Sequence, residues 1–356
     1  MAKEQTTQKK GTGSSKGKKK ILLLALEVLV LVAAICILVI VMKFERTNTR
    51  VNIDEEQLEI HTEVAENETM KGYRNIALFG VDSTTGELES KTRSDTIIIA
   101  SINEETKEVK LVSVYRDTFL NLGNDTYTKC NAAYQKGGPE QAIQMLNTNL
   151  DMDIKDFITV GFKGLKDVVD ALGGVEIEIT QGEISHLNNY QYSMAEDMKI
   201  EYTPVKEPGL QTLNGLQAVG YCRIRQIGND FQRTERQRTV LTQISEKAKT
   251  MSASQLNEIA TSAFEEVYTS LELQEILDLI QVIDQYEIVD SAGFPQMDML
   301  TTGTIGSHGS CVVPLDLAES VVWLHEYLFD EEGYEVTERV QENSDTIDAK
   351  TGVYLN

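Results

Sequence analysis

Residues 21–42 contain a single charge, Glu27, and are otherwise almost entirely apolar. A helix rises about 1.5 Å per residue, so this run is long enough to cross a hydrocarbon core. Lys3, Lys9, Lys10, Lys16, Lys18, Lys19 and Lys20 precede it, against one acidic residue, Glu4. The excess of positive charge puts residues 1–20 on the cytoplasmic side as a basic tail and everything after Lys43 outside. The run is long for a signal-peptide core and no A-x-A-like site follows it, so it reads as a retained signal anchor. Cys36 follows Ile35, where a lipidation site would need a small residue. The expectation is a single-pass cell-membrane protein with an external C-terminal body.

The first twenty residues carry +6 and the apolar run −1, which leaves −28 on residues 43–356 of a chain whose total is −23. A body this acidic repels nucleic acid and anionic headgroups over most of its surface, so no nucleic-acid partner is expected. Against that charge, the stretch YCRIRQIGNDFQRTERQ groups Arg223, Arg225, Arg233 and Arg236 within fourteen residues. Guanidinium groups suit bidentate recognition of phosphate or carboxylate. Arg223 and Arg225 would share one face of a strand. Arg233, Arg236, Gln237 and Val240 would share one side of a helix opened by Asp230, with Glu235 and Arg238 pointing away. Such a strand facing such a helix would make a local anion cradle.

Short apolar strands alternate with helical patterns from Asn75 onward. Strands are expected at 76–79, 96–102, 109–115, 157–162 and 175–179, with further strands around Arg223, Met299 and Cys311. Helices are expected at about 138–150, 164–172, 213–219, 230–249, 254–268, 271–286 and 315–329, the second closed by Gly173-Gly174. Residues 185–208 read as a loop. The fold class is therefore α/β: a single layered α/β/α domain with a mixed central sheet flanked by helices, preceded by one transmembrane helix. By segment, 43–72 reads as an acidic stalk, 73–330 as the domain and 331–356 as an acidic tail. Cys130, Cys222 and Cys311 have no C-x-x-C spacing and allow at most one internal disulfide. The four histidines are scattered, and the segment around His308 reads as a hairpin turn rather than a nucleophile elbow.

Asp82 lies just past the first strand, Asp95 at the mouth of the second and Arg116-Asp117 at the end of the third, where α/β proteins place ligand sites. Asp82 with Asp95 would offer hard oxygens to a magnesium or manganese ion that keeps water and bridges phosphates. The plainer alternative is turn capping and an ordinary ion pair for Arg116. Asp117 is the candidate general base, with a rival role as a partner that ties down an arginine; Lys129 and Asn131 are weaker candidates.

Six motifs then occur in order: R-S-D-T at 93–96, Y-R-D-T at 115–118, K-C-N-A-A-Y at 129–134, F-K-G-L-K-D-V-V-D-A-L-G-G-V at 162–175, R-I-R at 223–225 and D-F-Q-R-T-E-R-Q at 230–237. After a single N-terminal span, this set resembles the LytR-CpsA-Psr family of envelope proteins. The similarity runs from about residue 75 to 249, with an echo at 312–328. The resemblance implies an external, magnesium-assisted transferase. It would move a phosphate-linked glycopolymer from an undecaprenyl-pyrophosphate carrier to the C6 hydroxyl of N-acetylmuramic acid in peptidoglycan.

Carried over by motif, Asp82 and Asp95 would hold the metal. Arg116, Arg223, Arg225 and Arg233 would bind pyrophosphate beside Gln237, and Lys129 is grouped with them. Asp230 would orient the arginines or act on the acceptor, and Ile97, Ile99, Phe162 and Leu165 would line a prenyl groove. Tyr115 replaces a usual proline and Gln232 a usual glycine, without loss of a charged group. Two other activities remain open: a non-catalytic envelope regulator or polyprenyl-phosphate sensor, and a pyrophosphatase acting on prenyl carriers.

Overall fold

The computed structural model describes residues 51, 53–83 and 87–352, so the expected basic tail and signal anchor lie outside the described residues. Among the described residues, no helix is long and apolar enough to cross a membrane. The chain divides into two compact units, 1–48 and 49–356, and the second is the one described here.

In chain order its elements are α1 (Thr62–Ala65), β1 (Tyr73–Val81), β2 (Ser94–Asn103), β3 (Glu108–Val114), β4 (Phe119–Asn121), β5 (Tyr127–Lys129), α2 (Ala132–Leu150), β6 (Asp156–Gly161), α3 (Phe162–Ala171) and β7 (Val175–Ile179). There follow α4 (Gln181–Met198), β8 (Gly209–Leu213), α5 (Gly215–Cys222), α6 (Asn229–Lys249), α7 (Ala253–Ala263), β9 (Val267–Thr269), α8 (Leu273–Ile280), β10 (Glu287–Phe294), β11 (Leu300–Thr304), β12 (Ser310–Pro314), α9 (Leu317–Phe329) and α10 (Glu338–Thr351).

Six strands form a mixed sheet in the order β10-β3-β2-β1-β6-β9. β10 runs parallel to β3 and β6 parallel to β1, while the β3/β2, β2/β1 and β6/β9 pairs are antiparallel. Alternation along the strands sends Ala77, Phe79, Ile97, Ile99, Val112 and Val114 to one face, where they pack with Ile143 and Leu146 of α2 and Val321 and Leu324 of α9. Ile98, Ala100, Val109 and Leu111 form the other face, against Leu241 of α6. The expected layered α/β domain with a mixed sheet is therefore present. A smaller ribbon, β7 with β8, packs Val175, Ile177 and Ile179 against α4 and α5. The expected hairpin around His308 is β11 with β12, and Cys130, Cys222 and Cys311 are buried free thiols.

Four expectations are corrected. The segment taken as a stalk is part of the body from residue 51: Val51 N donates to Thr269 O at 3.0 Å, and Leu58, Val64 and Met70 are buried in the main core. The 185–208 loop is largely helix α4, opened by a capping box in which Thr180 and Glu183 satisfy each other's backbone. The strand at Arg223 does not form, because α5 runs to Cys222 and Arg223 caps it. Within the segment read as an acidic tail, Glu338–Thr351 form helix α10, packed on the core through Val340 and Ile347.

Asn343 of α10 is fully buried: it accepts from Asn121 Nδ2 at 2.9 Å and Tyr127 Oη at 2.8 Å, and donates to Thr148 O at 3.1 Å. Burying Val340 and Ile347 alone stabilises the fold by roughly 3–6 kcal/mol. Truncation after residue 335 is therefore expected to lower the melting temperature by more than ~10 °C or leave the protein insoluble. An unchanged calorimetric melt would show that α10 is dispensable.

Candidate anion and lipid site

The sheet register builds the site. β2 and β3 pair so that Ile98 faces Ser113 and Ile102 faces Val109. Continued three residues past Ile98, this register sets Asp95 against Arg116. Gly80 of β1 pairs with Thr96, and Val81 with Gly161. One end of the sheet thus gathers the ends of β1, β3 and β6 and the start of β2. A side chain at position 80 would bring its Cβ within 2.8 Å of the Thr96 Cβ, so glycine keeps this mouth open. The first turn of α6 lies over the opening. Tyr115 is buried and packs edge-on against Phe231 of that turn at 4.5 Å.

Asp95 organises the arginines. Its Oδ1 accepts from Arg116 Nη1 at 2.5 Å, its Oδ2 from Arg225 Nη2 at 2.9 Å, and its carbonyl from Arg233 Nη2 at 3.0 Å. Asp230 Oδ1 lies 3.0 Å from Arg233 Nη2 and 3.6 Å from Arg116 Nε. Burial pulls the Arg116 guanidinium down, but Asp95, Asp230 and Asp117 outweigh it and its pKa is raised.

Arg233 is different. It is 1 % exposed, and burial together with the charges of Arg116 and Arg225 lowers its pKa to about 10. Its Nε and Nη1 have no hydrogen-bond partner, and neither does the buried Oε1 of Gln237 one turn on. A buried guanidinium with two unmatched donors is unfavourable until an anion reaches it.

Arg223 and Arg225 reach the same mouth without a strand. Ile224 between them is fully buried in the ribbon core, which turns its two neighbours outward. Arg236, expected beside Arg233, is elsewhere. Its Nε donates to Glu183 Oε1 at 2.8 Å, and its Nη1 and Nη2 donate to the carbonyls of Ile224 and Ile227, both at 3.1 Å. It fastens the 223–227 segment to α4 and binds nothing in the mouth. Asp117 and Lys129 pair with each other at 3.2 Å and line neither cavity described below, so the geometry gives no support to Asp117 as base or Lys129 as an anion ligand.

Behind the mouth runs a groove of about 260 Å³. Asp95, Arg223, Arg225, Arg233 and Gln237 ring its entrance, and Leu78, Ile98, Ile158, Val160, Leu165, Val219, Val240 and Ile244 wall its depth. Along α6 the stripe Arg233, Gln237, Val240, Leu241, Ile244 passes from charged to apolar, which matches a ligand with an anionic head and a hydrocarbon chain. Phe162 and Leu165 line the groove as expected. Ile97 and Ile99 do not: they face the opposite core, and Ile98 takes their place.

On the far side of Asp95 and Arg225, an open cleft of about 440 Å³ is bordered by Asp82, Lys91, Arg93, Arg116 and Gln135. Asp82 is exposed there. Arg93, two residues before Asp95 in R-S-D-T, also borders this cleft.

The family described as LytR_cpsA_psr matches residues 39–309. The polyisoprenyl-teichoic acid–peptidoglycan teichoic acid transferase TagV of Bacillus subtilis (strain 168) is 30% identical over 216 residues, 58% of this chain and 52% of that protein. Biofilm regulatory protein A of Streptococcus mutans serotype c is 31% identical over 212 residues, 56% of this chain and 50% of that protein. The alignment thus spans about half the length of each of these curated relatives. Among solved structures, the LytR-CPS2A-psr family protein YwtF (TagT) of B. subtilis with bound octaprenyl pyrophosphate lipid aligns with a TM-score of 0.54. It is 20% identical, and the alignment covers 85% of this chain and 100% of that one, so it speaks to the fold alone.

Proposed function

This chain belongs to the LytR-CpsA-Psr family, and on that premise we propose that it is an envelope phosphotransferase. It moves a phosphate-linked glycopolymer from an undecaprenyl-pyrophosphate carrier to the C6 hydroxyl of N-acetylmuramic acid in peptidoglycan. The observation that carries this reading is Arg233, a buried cation with two donor nitrogens unmatched at the head of an apolar groove. An alcohol would leave the unmatched donors without an anion, and a single carboxylate would engage only part of the arginine cluster at the mouth; a prenyl pyrophosphate answers both the cluster and the apolar groove. TagV is named for a polyisoprenyl-teichoic acid substrate, and YwtF (TagT) is described with bound octaprenyl pyrophosphate lipid, which supports this reading. The same reading holds the body outside the membrane through residues 21–42.

Phosphoryl transfer needs positioning and neutralisation of charge more than covalent help from the protein. Arg116, Arg223, Arg225 and Arg233 would hold the pyrophosphate, with the prenyl chain in the groove. The acceptor oxygen attacks the phosphorus that bears the polymer, the bond from that phosphorus to the bridging oxygen breaks, and prenyl phosphate leaves. Asp230 Oδ2, buried and without a hydrogen bond, would take the hydroxyl proton, while Oδ1 orients Arg233 and Arg116.

Asp82 and Asp95 would hold a magnesium or manganese ion of the kind bound by one or two carboxylates and substrate phosphates; that both border the same cleft supports this, with Asp95 sharing its oxygens between the ion and Arg116 and Arg225. Such an ion would neutralise charge developing on the transferred phosphoryl oxygens.

The test uses the full chain in detergent with lipid-linked polymer, a peptidoglycan acceptor and magnesium. Polymer-bearing muropeptide is expected from wild type and none from folded Arg225→Ala or Asp95→Ala. Biofilm regulatory protein A motivates a second reading, a regulator that retains ligand without turnover; product formation would exclude it. Phosphate released without acceptor would instead indicate a pyrophosphatase. The groove has its own test: Leu165→Trp is expected to weaken geranylgeranyl pyrophosphate at least ~10-fold and leave isopentenyl pyrophosphate unchanged, because only the long chain reaches that depth. Equal affinities for the long chain in both proteins would remove the groove from the reading.

A further inference from the structure

Of the guanidinium groups around the mouth, Arg223 is held in a different way. Arg116 and Arg225 share Asp95, Arg233 pairs with Asp230, and Arg236 pairs with Glu183. Among the described residues, no carboxylate lies within ion-pair distance of Arg223. Its guanidinium carbon sits over the Phe162 ring, 4.4 Å from the centroid, and 5.1 Å from the centroid of the Tyr190 ring. Phe162 opens α3 and lines the groove, whereas Tyr190 comes from α4, outside the six motifs quoted above. The Tyr190 hydroxyl accepts from Gln226 Nε2 at 3.2 Å, which fixes the ring to the segment carrying Arg223 and Arg225.

We propose that Tyr190 is a positioning residue that, with Phe162, clamps Arg223 at the groove mouth with its charge unspent for the anionic head of the ligand. Two rings and a carboxylate hold a guanidinium in opposite ways. A carboxylate takes up N–H donors and cancels the charge. A ring face attracts the cation electrostatically and leaves both available. In a body of net charge −28, most arginines find a carboxylate, and the cost of that pairing is a weaker attraction for an incoming phosphate. The Phe162–Arg223–Tyr190 arrangement avoids it while still removing the freedom of a long side chain, so less entropy is lost when the anion arrives. α4 therefore contributes to the site twice: Glu183 anchors the arginine segment through Arg236, and Tyr190 aims the first arginine on it.

This inference rests on the pyrophosphate reading, and the experiment separates the two. The full chain in detergent is titrated with geranylgeranyl pyrophosphate and, as the uncharged control, geranylgeraniol. Tyr190→Leu is expected to weaken the pyrophosphate about tenfold and leave the alcohol unaffected. Tyr190→Phe, which keeps the ring, is expected to stay within about twofold of wild type. In an Arg223→Gln background, Tyr190→Leu is expected to cost nothing more, because the ring acts only through the arginine. The clamp is overturned if Tyr190→Leu binds the pyrophosphate normally, if it weakens the alcohol equally, or if its effect persists in the Arg223→Gln background. A wild-type protein that binds both ligands alike would overturn the pyrophosphate reading itself, and the clamp with it.

Discussion

Arg233→Met is expected to abolish the thermal stabilisation that geranylgeranyl pyrophosphate confers, while the ligand-free protein still folds and melts only a few degrees below wild type. The side chain is 1 % exposed and its Nε and Nη1 are unmatched. Each charge-assisted hydrogen bond to a phosphate oxygen is worth roughly 1.5–3 kcal/mol, so losing two weakens binding by about 10²–10⁴. At a ligand concentration 100 times the wild-type Kd, wild type gains about 2.7 kcal/mol of stability, which the variant forgoes. Without ligand, the same substitution removes a cation that burial disfavours, and methionine fills a similar volume, but the Asp95 carbonyl loses its Arg233 donor, so the fold loses about 1–3 kcal/mol. Arg116 remains beside Asp230 to hold that carboxylate. A variant that retained the wild-type ligand shift would show that Arg233 does not meet the anion.

Three residues along the same helix, Arg236→Met is expected to do the reverse. Arg236 and Glu183 are both 6% exposed, and the guanidinium also donates to the backbone carbonyls of Ile224 and Ile227. Breaking a buried pair by removing one partner costs about 3–5 kcal/mol, here roughly 10 °C of melting temperature, with or without ligand. The pH dependence follows in sign. Burial raises the Glu183 carboxyl, but the Thr180 backbone bond and Arg236 outweigh it, and its pKa lies below the ordinary glutamate value. Its stabilisation is therefore full above the ordinary glutamate pKa and fades as pH falls through the depressed one. In Arg236→Met that acid-side loss should shrink, because the carboxyl no longer has the cation that depressed it. Melts of both proteins across the acid range would decide it, and parallel profiles would refute the assignment.

Neither arginine could be told from the other in the sequence. Both fall on one broad side of α6, and helical periodicity specifies angles but not which neighbour stands at each angle. Glu183 is the missing neighbour, and it sits on α4, whose residues from 185 onward read as a loop in the sequence. The signal was there in Thr180 and Glu183, spaced as a capping box. The apolar stripe that should have followed is broken by Gln191, a polar residue that is fully buried. Helix α10 was hidden in the same way. Asn343, Ser344 and Thr351 are buried polar residues there, satisfied by partners such as Asn121 and Leu317 that only the fold brings near. In β2, the run Ile97-Ile98-Ile99 is apolar on both faces, so alternation could not say which isoleucine met the groove.

What the sequence determined by itself is the chemistry: which cations, which carboxylates, and the strands and helix ends that carry them, because charged residues set against an acidic body stand out locally. The register of β2 on β3 and the order of six strands then decided which of those charges meet. Asp95 became the hub of three arginines, Asp117 was turned away to Lys129, and of two arginines three residues apart one was left unmatched and the other satisfied. Pairing is a property of distances between residues remote in the chain, set by packing and sheet register, and local pattern contains no information about it.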